Sequence, residues 1–244
     1  MISVVPDRTF FATQQRFAER WADLASMPIE TAYLECTTWY HQAAGLGRDF
    51  DPSHPVWQRL VAEVAVSPEP DAVVHAWAVA HKQAVGPGAV LDFAWSADDR
   101  TVRVNFLGER SPSSSPLSAM QLPVRKRELR DLVLRAADQH PEAELLRGRS
   151  WLYGLEAYRR IFPPVFLVGL EVEPPDLQFL AIWGQLLHRD GTSRPGVAAG
   201  LLVAADAAAS TTDLERSFPV PMWQTTAPFA AVAEALFGTD FILN

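Results

Sequence analysis

One stretch of this chain concentrates side chains that can take part in chemistry. It runs from Arg147 to Pro164 and reads R-G-R-S-W-L-Y-G-L-E-A-Y-R-R-I-F-P-P. Side chains at the end of a strand commonly face a ligand, and this stretch spans a predicted junction of a strand and a helix, so it predicts a substrate-facing wall. The predicted site residues are Tyr153 and Tyr158 as catalytic groups and Arg147, Arg149, Ser150 and Arg159 as substrate-binding groups.

The two tyrosines also have an interpretation that involves no ligand. A buried tyrosine usually needs a hydrogen-bond partner, so such a pair can simply hold the junction of strand and helix together. The sequence leaves both interpretations open. A serine hydrolase is not favoured, because residues 148–152 match only half of the nucleophile elbow G-x-S-x-G and carry leucine where the second glycine belongs.

Charge is distributed unevenly along the chain. The window from Arg100 to Arg160 holds twelve basic residues, eleven of them arginine, and seven acidic ones, which makes it +5. The rest of the chain carries −13, and the total is −8. Arginine makes bidentate contacts with carboxylates and phosphates, so this window predicts a pocket for a small anionic ligand. The alternative is a solvated helix face whose arginines pair with acidic side chains elsewhere.

The best place for such an anion is the loop before the predicted helix that carries Arg125. The N-terminus of a helix presents unpaired N–H groups and a partial positive charge, and both attract anions. Ser113, Ser114 and Ser115 lie in this loop, and we predict that they bind a cofactor together with Arg125.

The residue types disfavour several classes of protein. The single cysteine, Cys36, excludes a disulfide framework and a cysteine-rich zinc module, and its place in an apolar helical stripe predicts burial. No pair of histidines has the spacing of a metal site, and we expect no metal. The fingerprints of P-loop and dinucleotide-binding proteins do not occur. The acidic total disfavours a general nucleic-acid binder, which needs a basic surface.

Hydrophobic periodicity predicts an α/β (α+β) fold. Apolar residues recur at helical spacing over the first 85 residues, whereas residues 91–106 alternate with period two around a polar turn, as in a β-hairpin. A long helix follows Pro123 and ends at His140. The remaining predicted elements are strand 144–148, helix 155–162, strand 179–187, helix 197–209, strand 220–223 and helix 229–237. The expected architecture is a helical N-terminal layer followed by a mixed sheet with helices.

A Gly-Pro-Gly sequence at residues 86–88 marks the predicted domain boundary. It separates a helical N-terminal region, residues 1–87, from an α/β region, residues 88–244, although the two could also pack as one compact unit. The first residues lack the parts of a secretory signal, and no apolar run is long enough to span a membrane. We therefore expect a cytoplasmic protein without a membrane partner.

Two resemblances rest on these residues. The run S-W-L-Y-G-L-E-A-Y-R-R-I-F-P-P, followed later by W-G-Q, is similar to a motif in a group of bacterial hypothetical proteins that carries no assigned activity. The order hairpin, loop, long helix, strand, short helix, strand resembles the acyl-CoA N-acyltransferase (GNAT) superfamily, and implies a GNAT-like α/β region.

The GNAT resemblance implies roles for particular residues. The loop 111–118 would hold the pyrophosphate of acyl-CoA, and Tyr153 or Tyr158 would be the general acid that protonates the leaving group. The chain departs from the family at this loop, where S-P-S-S-S-P-L-S replaces the glycine-containing [RQ]-x-x-G-x-[GA]. Glycine permits the close approach of backbone to phosphate, so without these glycines either the cofactor is a different one or acyltransferase chemistry is absent. The candidate cofactors are acyl-CoA or another phosphorylated donor.

Two functions of different classes follow from these patterns. The first is a small-molecule enzyme of transferase type that acts on an anionic substrate or acyl donor at an arginine-rich pocket. The alternative is a non-catalytic binding or accessory protein that contacts a protein partner, or a second copy of itself, through the helical N-terminal layer. A role in RNA binding through the +5 window is disfavoured by the acidic total.

Overall fold

The computed structural model describes residues 5–47, 50–81, 90–106, 115–188 and 190–239. Its α-helices are α1 (Arg8–Ala25), α2 (Ile29–Cys36), α3 (Trp39–Gln42), α4 (Pro55–Val66), α5 (Pro70–Ala80), α6 (Leu122–Gln139), α7 (Glu156–Arg159), α8 (Pro164–Leu167), α9 (Leu180–Trp183), α10 (Pro195–Ala207), α11 (Thr211–Glu215) and α12 (Phe229–Phe237). Its strands are β1 (Leu91–Ser96), β2 (Thr101–Phe106), β3 (Leu145–Arg149), β4 (Glu171–Glu173) and β5 (Met222–Pro228). Short 3-10 helices lie at Ala119–Gln121, Trp151–Gly154 and Gly184–Leu186.

The described part of the chain divides into two compact units. The sheet unit comprises residues 90–106, 115–174 and 220–239, and the helical unit comprises residues 5–47, 50–81, 175–188 and 190–219. Residues 175–188 and 190–219, which we expected in the α/β region, therefore belong to the helical unit. Helices together with a mixed sheet confirm the predicted α+β class, whereas the GNAT-like arrangement stays a prediction.

The five strands form one mixed sheet in the order β1-β2-β3-β5-β4. Neighbouring strands run antiparallel except β2 and β3, which run parallel and have α6 between them in the chain. The parallel ladder pairs Thr101 with Leu145 and ends at the pair Val104–Gly148, although β2 continues to Phe106. The hairpin predicted for residues 91–106 is confirmed, because its period-two pattern puts one face of β1 and β2 in the core.

The two faces of the sheet differ in polarity. Val102, Leu146 and Ala227 are neighbours across three strands, and all three are buried on the same face. That face forms one apolar cluster with side chains of α6, α7, α8 and α12. Full burial of a valine or leucine side chain stabilises the fold by about 1.5–3 kcal/mol, so the helices are held to this face. Polar side chains of β2, β3 and β5 occupy the other face, which we call the open face.

Aromatic rings form the centre of the helical unit. Phe10 and Phe17, spaced seven residues apart on α1, both contact the ring of Trp183 edge to face, with centroids 6.4 and 5.2 Å away. Phe218 completes the group at 5.1 Å from Trp183. The helical spacing read from the first residues thus corresponds to the buried side of α1. No helix in the described ranges has the length and apolar character needed to cross a membrane.

The strand predicted for residues 179–187 is wrong. This segment forms α9 and the 3-10 helix Gly184–Leu186. Trp183 and Leu186 are completely buried in it, as the apolar run implied. A continuous apolar run indicates burial but has no period, so it does not distinguish a buried strand from a buried helical segment.

Candidate functional site

The two tyrosines predicted to be catalytic lie in the core of the sheet unit. Tyr153 belongs to the 3-10 helix Trp151–Gly154 and Tyr158 to α7, and each is only 1% exposed. Their rings meet edge to face with centroids 4.8 Å apart, and Phe162 contacts both. Burial raises the pKa of Tyr153 and of Tyr158 well above that of a free phenol. Their role as general acid stays a prediction.

The hydroxyl of Tyr153 lies against the backbone of β3. A Cβ atom added to Gly148 would be 1.9 Å from Oη of Tyr153, so only glycine fits there. Gly148 forms the last pair of the parallel ladder with Val104, and the ring of Phe106 at the end of β2 contacts the ring of Tyr158 at 5.4 Å. Both tyrosines therefore lie beneath the end of the β2–β3 pair, on the apolar face.

Arg147 and Arg149, predicted to bind substrate, lie on the open face. Arg147 donates to Oγ1 of Thr226 and to Oδ2 of Asp99, each at 3.3 Å. Arg149 donates to the carbonyl of Pro174 at 2.8 Å, and its Nε is 3.7 Å from a carboxylate oxygen of Glu173. The two guanidinium groups diverge, since Arg147 turns toward the β1–β2 turn and Arg149 toward the end of β4.

Ser150 and Arg159, the other predicted substrate-binding residues, have different structural surroundings. The hydroxyl of Ser150 accepts a hydrogen bond from the N–H of Leu152 at 3.1 Å and caps the 3-10 helix that follows. Arg159 is half-buried in α7, which packs on the apolar face through Tyr158. The structure therefore places Arg147 and Arg149 on one face, whereas the hydroxyl of Ser150 caps a 3-10 helix and Arg159 belongs to a helix packed on the apolar face.

The predicted cofactor loop is described only in part. Ser113 and Ser114 lie outside the described residues, and Ser115 is exposed with its carbonyl accepting from the N–H of Ser118 at 2.9 Å. Arg125 is 3% exposed and forms an ion pair with Glu128, one turn further along α6, with N and O 2.9 Å apart. Arg125 thus points into the protein, where its charge is paired.

The open face contains a further arginine that is not among the predicted site residues. Arg103 of β2 is the direct neighbour of Arg147 in the parallel ladder. Its Nη2 donates to Oγ of Ser96 at 3.4 Å and lies 3.9 Å from Oδ2 of Asp99. The period-two pattern of the hairpin places the side chain of Arg103 on the opposite face of the sheet from the buried residues beside it in the chain. The sequence could therefore have indicated that Arg103 lies on the open face. The contact of Arg147 with Asp99, 48 residues away, had no signal in the sequence.

We call Arg103 and Arg147 the arginine pair. Among the residues that the structure describes, Asp99 is the carboxylate that forms ion pairs with both of them. A hydrogen bond from Ser96 holds the pKa of Asp99 below its ordinary value, and Thr101, Arg147 and Arg103 add to this effect. Like charges on neighbouring strands repel each other, and the carboxylate relieves that repulsion. Two cations and one anion nevertheless leave this cluster with one excess positive charge.

No family model, curated protein or solved structure matches this chain. The two resemblances described above therefore remain predictions, and the geometry of the site has to indicate its chemistry. In the residues that the structure describes, no group of three His, Cys, Asp or Glu side chains could hold a metal ion. The most concentrated chemistry on the open face is the arginine pair with Asp99 and Thr226.

Proposed function

We propose that the protein is a small-molecule enzyme of transferase type that binds an anionic substrate or acyl donor at the arginine pair. The observation that carries this proposal is the adjacency of Arg103 and Arg147 on parallel strands, where the carboxylate of Asp99 forms ion pairs with both. The helices of the sheet unit pack on the opposite face, and the side chain of Arg103 is 47% exposed. A ligand in solution can therefore reach it.

Guanidinium groups suit this task for a geometric reason. Each presents a planar fork of N–H donors that matches two oxygens of a carboxylate or phosphate. Two forks on neighbouring strands can hold one oxyanion from both sides. The hydroxyl of Thr226, already within 3.3 Å of Arg147, offers a further donor beside them.

The order of elements supports the acyl-transfer part of the proposal. The hairpin β1–β2, helix α6 and the parallel strand β3 follow one another as in the GNAT superfamily that the sequence resembles. In such a reaction the acyl carbon leaves the thioester sulfur for an acceptor amine, the amine loses a proton and the sulfur gains one. The resemblance implies Tyr153 or Tyr158 as the donor of that proton. Both side chains are buried on the apolar face, opposite the arginine pair, so this role requires the thioester to reach past the end of the β2–β3 ladder, where Oη of Tyr153 lies against Gly148.

Binding is tested by isothermal titration with acetyl-CoA, ADP and inorganic phosphate. We expect Arg103→Gln and Arg147→Gln each to weaken binding about tenfold or more, because each removes charge-assisted hydrogen bonds. The matched control is Arg127→Gln, which removes the same charge from an exposed position of α6 and should leave the affinity unchanged. Absence of binding to the wild-type protein at millimolar concentration would overturn the proposal.

Catalysis is tested by following the release of free CoA thiol from acetyl-CoA in the presence of a panel of amines. We expect Tyr153→Phe or Tyr158→Phe to lower kcat and leave KM unchanged, since a general acid acts on the leaving group and not on binding. Equal kcat values for both variants and the wild type would remove the tyrosines from the reaction. No thiol release with any amine, together with tight binding, would contradict the transferase assignment.

The alternative, an accessory protein that binds a partner through its N-terminal helices, has no comparable observation in its favour. All eight tryptophans lie within the described ranges, and none is exposed. The exposed large apolar side chains described in the helical unit are Val66, Val79 and Val203, each on a different helix. Scattered single valines are ordinary for a protein surface and do not form a docking patch.

A further inference from the structure

We infer that Asp99 is an internal competitor for the arginine pair, and that the ligand which displaces it carries a phosphate dianion rather than a single carboxylate. This inference rests on the proposed function, since it concerns the same site. It names the chemical class of the ligand and assigns Asp99 a part in selecting it.

The position of Asp99 is the first support. Its Oδ2 lies 3.3 Å from Nη1 of Arg147 and 3.9 Å from Nη2 of Arg103. A ligand oxygen held by both arginines would need this same place. An anion therefore binds to the pair only when the carboxylate of Asp99 moves away.

The count of charges is the second support. Asp99 is part of the chain and is always present beside the arginines, so its effective concentration there is high. A ligand with one carboxylate offers the pair the same single charge and cannot compete with it at low concentration. A phosphate group carries up to two charges and three acceptor oxygens, so it can neutralise both Arg103 and Arg147.

The ease of displacing Asp99 is the third support. Its contacts with the arginines are longer than the 2.7–2.9 Å of a strong charge-assisted hydrogen bond. The residue lies in the turn that joins β1 to β2, where Ser96 pairs with Thr101, and its side chain is 36% exposed. Rotation of this side chain gives up the hydrogen bond from Ser96 and the long contacts with the arginines, but it breaks no pair of the sheet ladder.

The variant Asp99→Asn tests the inference, because it keeps the shape of the side chain and removes its charge. Titration with inorganic phosphate and with acetate should show tighter phosphate binding by about tenfold or more, and acetate binding that the wild type lacks. In the double variant with Arg147→Gln, this gain should disappear. ADP and acetyl-CoA, titrated in parallel, distinguish free phosphate from a phosphate carried by a larger donor.

The matched control is Asp98→Asn, in the same turn. Asp98 is exposed, and the substitution changes the net charge equally without touching the arginine pair. Equal gains in the two variants would show a general charge effect and overturn the role of Asp99. Circular dichroism checks that Asp99→Asn is folded, and Asp99→Ser serves as a second variant without the charge.

The two proposals fail in different ways. If wild-type protein binds phosphate through Arg147 and Asp99→Asn binds it no more tightly, the competitor role is wrong and the proposed function stands. If the wild type binds acetate as tightly as phosphate, the preference for a dianion is wrong. If neither the wild type nor Asp99→Asn binds any of these anions, the proposed function fails and the inference fails with it.

Discussion

The hydroxyl oxygen of Tyr153 occupies the space that a side chain on residue 148 would need. A Cβ atom on Gly148 would lie 1.9 Å from Oη and 2.7 Å from Cζ of Tyr153, whereas carbon atoms in contact are separated by about 3.5–4.0 Å. Both residues are buried, so neither can move aside into solvent. Glycine is required here by the close approach of a neighbouring ring.

The substitution Gly148→Ala should therefore destabilise the sheet unit. We expect the free energy of unfolding in urea to fall by about 1–3 kcal/mol, the usual cost of overpacking a core. The further substitution Tyr153→Leu in this variant should recover part of the lost free energy of unfolding, because it removes Oη and Cζ. Gly200→Ala in α10, where a Cβ meets open space, is the control and should raise stability by about 1 kcal/mol. Wild-type stability of Gly148→Ala would contradict the contact.

Alkaline pH should unfold the protein partly through Tyr153 and Tyr158. Their pKa values are raised by burial above the ordinary value of 10.0, so the unfolded chain releases these protons first. The free energy of unfolding should be insensitive to these groups below about pH 10 and fall as the pH rises above it. Urea unfolding over this pH range, in wild type and in the double variant Tyr153→Phe and Tyr158→Phe, measures the effect. If the free energy of unfolding falls as steeply with pH in the double variant as in the wild type, the two tyrosines do not cause the effect.

Cys36 should be unreactive in the folded protein. The side chain is completely buried in α2, and burial, with a small addition from Glu35, raises the pKa of the thiol well above 9.0. Because the thiolate is the reacting species, a disulfide reagent should label Cys36 at a rate set by unfolding. Labelling is followed with and without urea, and immediate stoichiometric labelling without urea would show that the thiol is accessible. An unreactive Cys36 would also add no signal to the assay that follows the release of free CoA thiol.

The side chain of Asp7 should contribute strongly to the stability of the helical unit. Its carboxylate accepts a hydrogen bond from the N–H of Phe10 at 3.0 Å, which caps α1, and two more from Ser193 at 2.8 and 2.5 Å. We expect Asp7→Ala to lower the free energy of unfolding by about 2–4 kcal/mol, as a lost cap and lost hydrogen bonds to a charged group add together. Asp206→Ala, which breaks only an exposed ion pair with Arg16, should change little. Similar losses in both variants would contradict the role of Asp7.

Elements with a clear period were predictable from the sequence. The hairpin of β1 and β2 follows from alternation, and α12 begins and ends at the predicted residues 229 and 237. α6 ends at Gln139, directly before His140. The segment 179–187 was not predictable, because an unbroken apolar run is compatible with any buried backbone. The three-residue strand β4 is too short to show a period of its own.

Some features of the candidate site were likewise predictable from the sequence, and others were not. The concentration of arginine between residues 100 and 160 is visible in the sequence, as is the placement of Arg147 and Arg149 on one side of a strand. The partners of these arginines are not visible, since Asp99, Thr226 and Pro174 are far from them along the chain. Ser150 and Arg159 were predicted from their place at a junction of strand and helix, and Arg125 from its place near a helix N-terminus. The structure uses them as a cap, a half-buried helix residue and a buried ion pair.

The sequence by itself therefore determined the class of fold, the hairpin, most helices and the segment in which positive charge collects. Those properties depend on neighbours within a few residues, which set the hydrophobic period and the charge of a window. Only the tertiary structure decided that Tyr153 and Tyr158 are buried while Arg103 and Arg147 stand side by side on the open face. Burial and ion pairing depend on which strands become neighbours, and the order β1-β2-β3-β5-β4 is a property of the assembled sheet.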